Sequence, residues 1–176
     1  MSNTPVIKKV VIRNVRFGEN VMVVEPSNIY ECVIGDDCFI GPFCEIQKGV
    51  KIGARTKVQS HSFICTLVSI GEDCFIGHGV MFINDDFSSG GPSGGDTAKW
   101  RKTVIGNNVS IGTGATILPV QISDNVVIGA GSVVVKSITQ PGIYAGNPAR
   151  LIRSLEAPST DDSASAEKKE DEGRWV

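Results

Sequence analysis

The sequence predicts an all-β fold, a coil of short parallel strands wound into a three-sided prism, and three observations carry that prediction. The first is a period of six: Ile34, Ile40, Ile46, Ile52, Val58, Ile64, Ile70, Ile76 and Phe82 recur at six-residue steps without a miss. The second is a companion column four places later, Cys38, Cys44, Val50, Thr56, Ser62, Val68, Cys74 and Val80, which holds only small or β-branched side chains. The third is glycine directly after the first column, at Gly35, Gly41, Gly53, Gly71 and Gly77.

Other architectures do not use this pattern. A six-residue step turns an α-helix by about 600°, or about 240° net, so no apolar stripe forms. An antiparallel meander fails because the glycines come too often, the segments are too short and hairpin signals such as Asn-Gly are absent. With six residues to a side and eighteen to a circuit, Ile34 lies beneath Ile52 and Ile70. Successive circuits then sit about 4.8 Å apart and pair in parallel. The large first column fills the prism, and the small second column fits the remaining interior.

Each further element follows from that register. Ile12, Phe17-Gly18, Val23 and Ile29 are expected to form the first circuits, with Glu25-Pro26-Ser27-Asn28 as a turn. The period resumes downstream at Ile105, Ile111, Ile117, Ile122, Ile128 and Val134; the short step at Leu118-Pro119-Val120-Gln121 predicts a tightened corner, with Ser123 in a glycine place. Pro141-Gly142 and Asn147-Pro148 break the coil, and Ala149–Leu155 is expected as a short helix capping the open core. Cys38 and Cys74 stand two circuits apart, roughly 10 Å, too far for a disulfide.

Composition narrows the function. The 176 residues are 41% hydrophobic, only 6% aromatic, with 20 glycines, 5 cysteines and a formal charge of −2. One domain fits this length, over residues 1–155, with 156–176 as an acidic tail expected to be solvated. The tail holds 7 acidic and 3 basic side chains. Bulk positive charge for reading nucleic acid is lacking. No apolar run nears membrane-spanning length and the start carries no leader pattern, so a cytoplasmic protein with reduced thiols is expected.

The chain interrupts its own rhythm once. Phe82 and Ile105 stand 23 positions apart where one side needs six, an insertion of 17. Its centre, Ser88-Ser89-Gly90-Gly91-Pro92-Ser93-Gly94-Gly95, is flanked by Asn84-Asp85-Asp86 and Lys99-Trp100-Arg101-Lys102. So long a loop in so economical a repeat reads as a substrate-facing arm, with an inert loop as the alternative.

The repeat resembles the hexapeptide-repeat acyltransferases, especially in Gly129-Ala130-Gly131-Ser132-Val133-Val134-Val135-Lys136 and Ala145-Gly146-Asn147-Pro148-Ala149-Arg150. The resemblance covers roughly residues 10–155 and implies a left-handed parallel β-helix. Within that superfamily, Ser27-Asn28-Ile29-Tyr30-Glu31 and the run from His78 through Asp85 look like the bacterial sugar N-acetyltransferases. Those enzymes acetylate an amino group on a UDP- or dTDP-linked amino sugar, often one destined for lipopolysaccharide O-antigen or another surface glycan. A proline common after the family's Asn-Asp pair is replaced here by Asp86-Phe87-Ser88. The resemblance further implies a homotrimer with acetyl-CoA in the grooves between prisms. Flat faces with exposed aliphatic rows are compatible with a closed threefold ring.

Acyl transfer from a thioester to an amine needs a neutral, oriented amine, a donor for the new oxyanion and stabilisation of the departing thiolate. The family's Asn-Asp pair falls on Asn84 and Asp85. Asn84 can accept one N–H and orient the nitrogen, while Asp85 either takes a substrate proton or braces the loop. Of the two histidines, His61 and His78, the latter is the candidate general base, with polar packing as its other reading. The two are expected to neighbour one another near a corner. Lys136 and Arg150 are candidates for acetyl-CoA phosphates, and Gly112 and Ala130 for the pantetheine arm, with turn geometry as their alternative role. Asp86, Trp100 and Arg101 are candidates for the acceptor; surface charge and packing of the loop base are the alternatives.

No metal is required by this chemistry, and no phosphate loop or calcium loop is present in the sequence. Competing readings are a sugar or antibiotic O-acetyltransferase, which would depend more heavily on His78, and a non-catalytic trimeric scaffold. A zinc carbonic anhydrase of this fold needs three histidine ligands, which His61 and His78 do not supply.

Overall fold

The computed structural model describes Lys9 and residues 11–155, and the expectation for the 156–176 tail lies outside the described residues. The chain forms three parallel sheets of seven, six and eight strands, each strand pairing with the one a circuit above and below. The first face runs from Ile12–Arg13 through Met81–Phe82 to Val133–Val134. The second runs from Arg16–Phe17 to Gln121–Ile122, and the third from Met22–Val23 to Gly142–Ala145, with Arg150–Ser154 added at its edge.

The predicted stacking is present: Ile34 pairs with Ile52, Ile52 with Ile70, and Ile70 with Ile105 across the insertion. Ile105 then pairs with Ile122, seventeen residues on, so Leu118–Gln121 is the tightened corner the sequence predicts. The first circuits are also one residue short, with Ile12 opposite Ile29 and Phe17 opposite Ile34.

Both sequence columns point inward. Every first-column residue from Ile34 to Val134 is buried, as is every second-column residue from Cys38 to Val80. Each fully buried Ile contributes roughly 2–3 kcal/mol through removal of apolar area from water. Polar members of the small column are satisfied by the next circuit: Thr56 Oγ1 donates to the Gly71 carbonyl at 3.0 Å and Ser62 Oγ to that of Gly77 at 2.9 Å. Their hydroxyls thus enter an aliphatic core without an unmet hydrogen bond. All five cysteines are free and buried.

Glycine after the first column is a matter of clearance. A Cβ on Gly53 would lie 2.5 Å from the Gly71 carbonyl carbon of the next circuit, so any side chain there would push the coils apart.

One expectation is corrected. Residues Arg150–Ser154, expected within a capping helix, form a strand antiparallel to Gly142–Ala145, with Gly146 at φ 102° in the reversal. Gly142–Ala145 closes the parallel stack against Val126–Ile128 and leaves its outer edge of N–H and C=O groups unpaired. A returning strand satisfies those groups, whereas a helix this short could not sustain itself. The only helical element among the described residues is the 3₁₀ turn Thr97–Lys99 inside the insertion.

Candidate functional site

The insertion leaves the first face after Met81–Phe82 and returns as Thr103–Ile105 on the second, so it springs from the corner between these faces. Its two stems are joined where the Arg101 N–H donates to the Asn84 carbonyl at 2.8 Å. Above that bond the loop is a folded unit. Asp85 Oδ2 accepts the Ser93 N–H at 2.7 Å and Oδ1 that of Phe87 at 3.3 Å. Trp100 Nε1 donates to Ser93 Oγ at 2.8 Å, and Arg101 pairs with Asp86 at 2.9 Å. The glycines supply backbone that other residues adopt with strain, as at Gly90 with φ 88° and Gly95 with φ 91°.

These bonds set the loop's charges. The Ser93 backbone N–H holds the Asp85 carboxyl below the usual carboxylate range. The Ser88 hydroxyl and then the Arg101 guanidinium do the same for Asp86. Both side chains are therefore carboxylates engaged with the loop itself. Asp85 takes the bracing geometry of its two alternatives, and Trp100 is tied to Ser93 at the loop base.

Asn84 is different. Its Nδ2 donates to the Thr66 carbonyl at 3.1 Å, a bond that only the amide nitrogen can make, which fixes which end of the carboxamide is which. Oδ1 accepts no hydrogen bond from the described residues. Asn84 lines a largely apolar cleft of about 380 Å³ with Phe63, Ile83, Phe87 and Leu118.

His78 occupies the other end of the same strand segment, at the corner between the third and first faces. Its Nδ1 lies 2.9 Å from Ser60 Oγ, one circuit below. His61 does not bond to it; that ring stacks on Phe43 with centroids 4.9 Å apart. Gly112 and Ala130 share the His78 corner: the Gly114 N–H donates to the His78 carbonyl, the Gly131 N–H to that of Thr113, and a Cβ on Gly112 would lie 2.5 Å from the Ala130 nitrogen. Six residues separate His78 from Asn84, up to about 20 Å of extended chain. Within one chain they stand at opposite edges of one face and do not meet.

Lys136 and Arg150 line one cleft of about 320 Å³ with Ser137 and Tyr144, at the far end of the prism, between the turn after Val133–Val134 and the closing strands of the third face. Ser137 also borders a polar cleft of about 400 Å³ that holds Arg101, Lys102 and Gln121. The two clefts carry four cationic residues and no carboxylate among their lining; with Arg101 paired to Asp86, Lys102, Lys136 and Arg150 form a surface suited to phosphate groups. Among the described residues no group of three or more His, Cys, Asp or Glu is placed to hold a metal ion, and no helix is long and apolar enough to cross a membrane.

Sequence reasoning did not single out Ser60, Thr66 or Ser93. Ser60 stands eighteen residues before His78 and Thr66 eighteen before Asn84, so the circuit length itself carried the signal for both. Ser93 acts through its backbone and hydroxyl inside the insertion, where the period is silent.

Comparison with known proteins agrees with the repeat and the fold. A model described as "Bacterial transferase hexapeptide (six repeats)" matches residues 31–66, and one described as "Hexapeptide repeat of succinyl-transferase" matches 67–81 and 102–136, skipping the insertion. The bifunctional protein GlmU of Streptococcus uberis is 31% identical over 160 residues, 81% of this chain and 32% of that protein. The UDP-3-O-acylglucosamine N-acyltransferase of Polynucleobacter asymbioticus is 34% identical over 122 residues, 54% of this chain and 32% of that one. The chain spans about a quarter to a third of the length of the curated relatives it matches. Among solved structures, a mutant of AntD, an N-acyltransferase from Bacillus cereus in complex with dTDP and coenzyme A, superposes with a TM-score of 0.67 at 24% identity, over 80% of this chain and 83% of that one. A galactoside acetyltransferase in complex with coenzyme A gives a TM-score of 0.59 at 29% identity, over 81% and 66%. With its repeat register and three parallel faces, the chain is a parallel β-solenoid of hexapeptide repeats, and its matched motifs are those of the bacterial hexapeptide transferases.

Proposed function

We propose that this protein transfers an acetyl group from acetyl-CoA to the amino group of a UDP- or dTDP-linked amino sugar for O-antigen or another surface glycan, acting as a homotrimer with sites between subunits. The observation that carries the reading is the Asn84 carboxamide, anchored at Nδ2 with Oδ1 left as an acceptor beside a cleft. A carbonyl oxygen accepts one N–H of an amine and leaves the nitrogen lone pair for the carbonyl under attack. A sugar amine near the ordinary α-amino pKa of about 8 is neutral often enough for orientation to matter more than deprotonation.

When bound, acetyl-CoA supplies the thioester carbonyl and the thiolate leaving group. Lys136 and Arg150 fit its phosphates, since their shared cleft has no carboxylate in its lining. Support for this donor comes from the galactoside acetyltransferase, whose structure holds coenzyme A. The acceptor class draws on the N-acyltransferase named for a UDP-linked acylglucosamine.

The trimer answers the separation of His78 from Asn84. Prisms packed side by side set the His78 corner of one subunit against the loop corner of the next. Exposed apolar residues on the flat sides, such as Phe75 and Met81, are suited to burial there. With Nδ1–H donated to Ser60, His78 Nε2 takes the proton released as the N–C bond forms and the C–S bond breaks.

A second reading, O-acetylation of a sugar, is favoured by the galactoside acetyltransferase likeness and by the exposed, Ser60-held His78. Thiol release from acetyl-CoA with matched amino and hydroxyl forms of one nucleotide-linked sugar separates the two. Release with the amino form alone supports N-acetylation; equal or greater release with the hydroxyl form supports the second reading; no release across a broad donor and acceptor panel supports a scaffold.

A further inference from the structure

A chain of hydrogen bonds runs to Asn84 through three successive circuits at one corner of the prism. Gln47 follows the strand Glu45–Ile46, Thr66 follows Phe63–Ile64, and Asn84 follows Met81–Phe82. The Thr66 N–H donates to Gln47 Oε1 at 3.2 Å, and the Thr66 carbonyl accepts Asn84 Nδ2 at 3.1 Å. Gln47 is itself oriented, its Nε2 donating to Glu45 Oε1 at 2.8 Å. All four residues are half-buried, so the chain is shielded from full competition by water.

Gln47 and Asn84 do not bond to each other. What joins them is the Thr66 residue, whose backbone N–H and carbonyl face opposite partners. Side-chain bonds arranged in series polarise one another, and an acceptor fixed on one side of a residue restricts how its carbonyl swings on the other. We infer that Gln47 is a positioning residue for acyl transfer: it holds the Thr66 backbone, and Thr66 holds the carboxamide that orients the amine. This inference rests on the proposed role of Asn84 and extends it two circuits along the prism.

The sequence could not single out Gln47. It stands nineteen residues before Thr66, one off the circuit length, because its side chain reaches forward to a backbone N–H.

The test is a double-mutant cycle on the full chain, with Gln47→Met, Asn84→Ala and the pair assayed for thiol release from acetyl-CoA and an amino-sugar nucleotide that the wild-type protein turns over. Methionine keeps the length of glutamine and removes the acceptor. Gln47→Met is expected to lower kcat about three- to tenfold with KM for acetyl-CoA unchanged, the loss of one modest hydrogen bond expressed at the transition state. The double variant is expected to be no slower than Asn84→Ala alone, since the positioning effect vanishes with the group positioned. Wild-type kcat in Gln47→Met beside a slow Asn84→Ala overturns the role of Gln47 while leaving Asn84 in place, and multiplicative losses in the pair also overturn it. An unchanged rate in Asn84→Ala overturns the reading beneath it. Thermal melting checks that each variant folds, and Gln47→Ala takes the place of Gln47→Met if the latter does not.

Discussion

Asp85 accepts the backbone N–H of Ser93 at 2.7 Å across eight residues, and this bond gathers the glycine-rich centre of the insertion onto its own base. The same carboxylate accepts from Phe87, while Ser93 turns its hydroxyl to the Trp100 indole. Asp85→Ala is therefore expected to release the loop without disturbing the prism. Limited proteolysis should cut within residues 88–95 several times faster than in the wild type, and KM for the acceptor should rise more than KM for acetyl-CoA. Unaltered proteolysis would remove Asp85 as the brace.

The loop's acid sensitivity follows in sign from its bonds. Asp85 and Asp86 both titrate below the usual carboxylate range in the folded protein, the first because of the Ser93 N–H and the second because of Ser88 and Arg101. Bonds of this kind are fully present above the ordinary carboxylate pKa of about 4 and are lost as pH falls through the lower folded-state values. In a Trp175→Phe background, which leaves Trp100 as the single indole, the emission should shift to the red only below about pH 4. A transition centred above about pH 5 would point to other groups.

Lys136 and Arg150 share a cleft although fourteen residues separate them. If that cleft takes the phosphates of acetyl-CoA, Lys136→Ala raises KM for acetyl-CoA by about three- to tenfold at low salt, and less as salt screens the contact. KM for the acceptor should move little. Equal rises in both constants would place the lysine elsewhere in the reaction.

Burial makes the thiols inert. It pushes the Cys32 thiol up to about 11 and that of Cys65 up to about 12, and it raises Cys38, Cys44 and Cys74 as well. Thiolate is the reactive form. The native protein at pH 8 should thus give no rapid reaction with a disulfide reagent, and all five thiols should titrate once guanidinium unfolds it. Fast labelling of any thiol in the native state would contradict the burial of all five cysteines.

Two glycine substitutions separate clearance from backbone freedom. Gly53→Ala places a methyl 2.5 Å from a carbonyl carbon of the next circuit, whereas Gly49, at φ 77°, has open space around its missing Cβ. The first should cost about 2–3 kcal/mol through displaced backbone, the second about 1 kcal/mol through left-handed geometry alone. Denaturant midpoints in the two variants check the order, and equal losses would show that the circuits have slack.

The prism was legible because its period is both the pattern and the cause: two residues in six must point inward, so the large column from Ile34 to Val134 could be placed before any coordinate. The same arithmetic put Ile34, Ile52 and Ile70 in one stack. The period lost its power where the chain stopped repeating. Arg150–Ser154 became a strand because the third face presented an unpaired edge, a tertiary fact that local pattern does not contain. In the candidate site, the residue types of Asn84 and His78 were readable, but their separation along one face follows only from counting six residues as a full side. Gln47 binds the backbone N–H of Thr66, and Ser93 offers its own backbone N–H to Asp85, contacts that leave no mark in side-chain chemistry.

The proposed chemistry requires an amine to meet Asn84, and a crystal structure of the protein with coenzyme A and an amino-sugar nucleotide tests this most directly. The amine nitrogen is predicted to lie about 3 Å from Asn84 Oδ1 while Nδ2 keeps its bond to the Thr66 carbonyl. A sugar bound with its amine facing away from Asn84, or a carboxamide turned off Thr66, would contradict it.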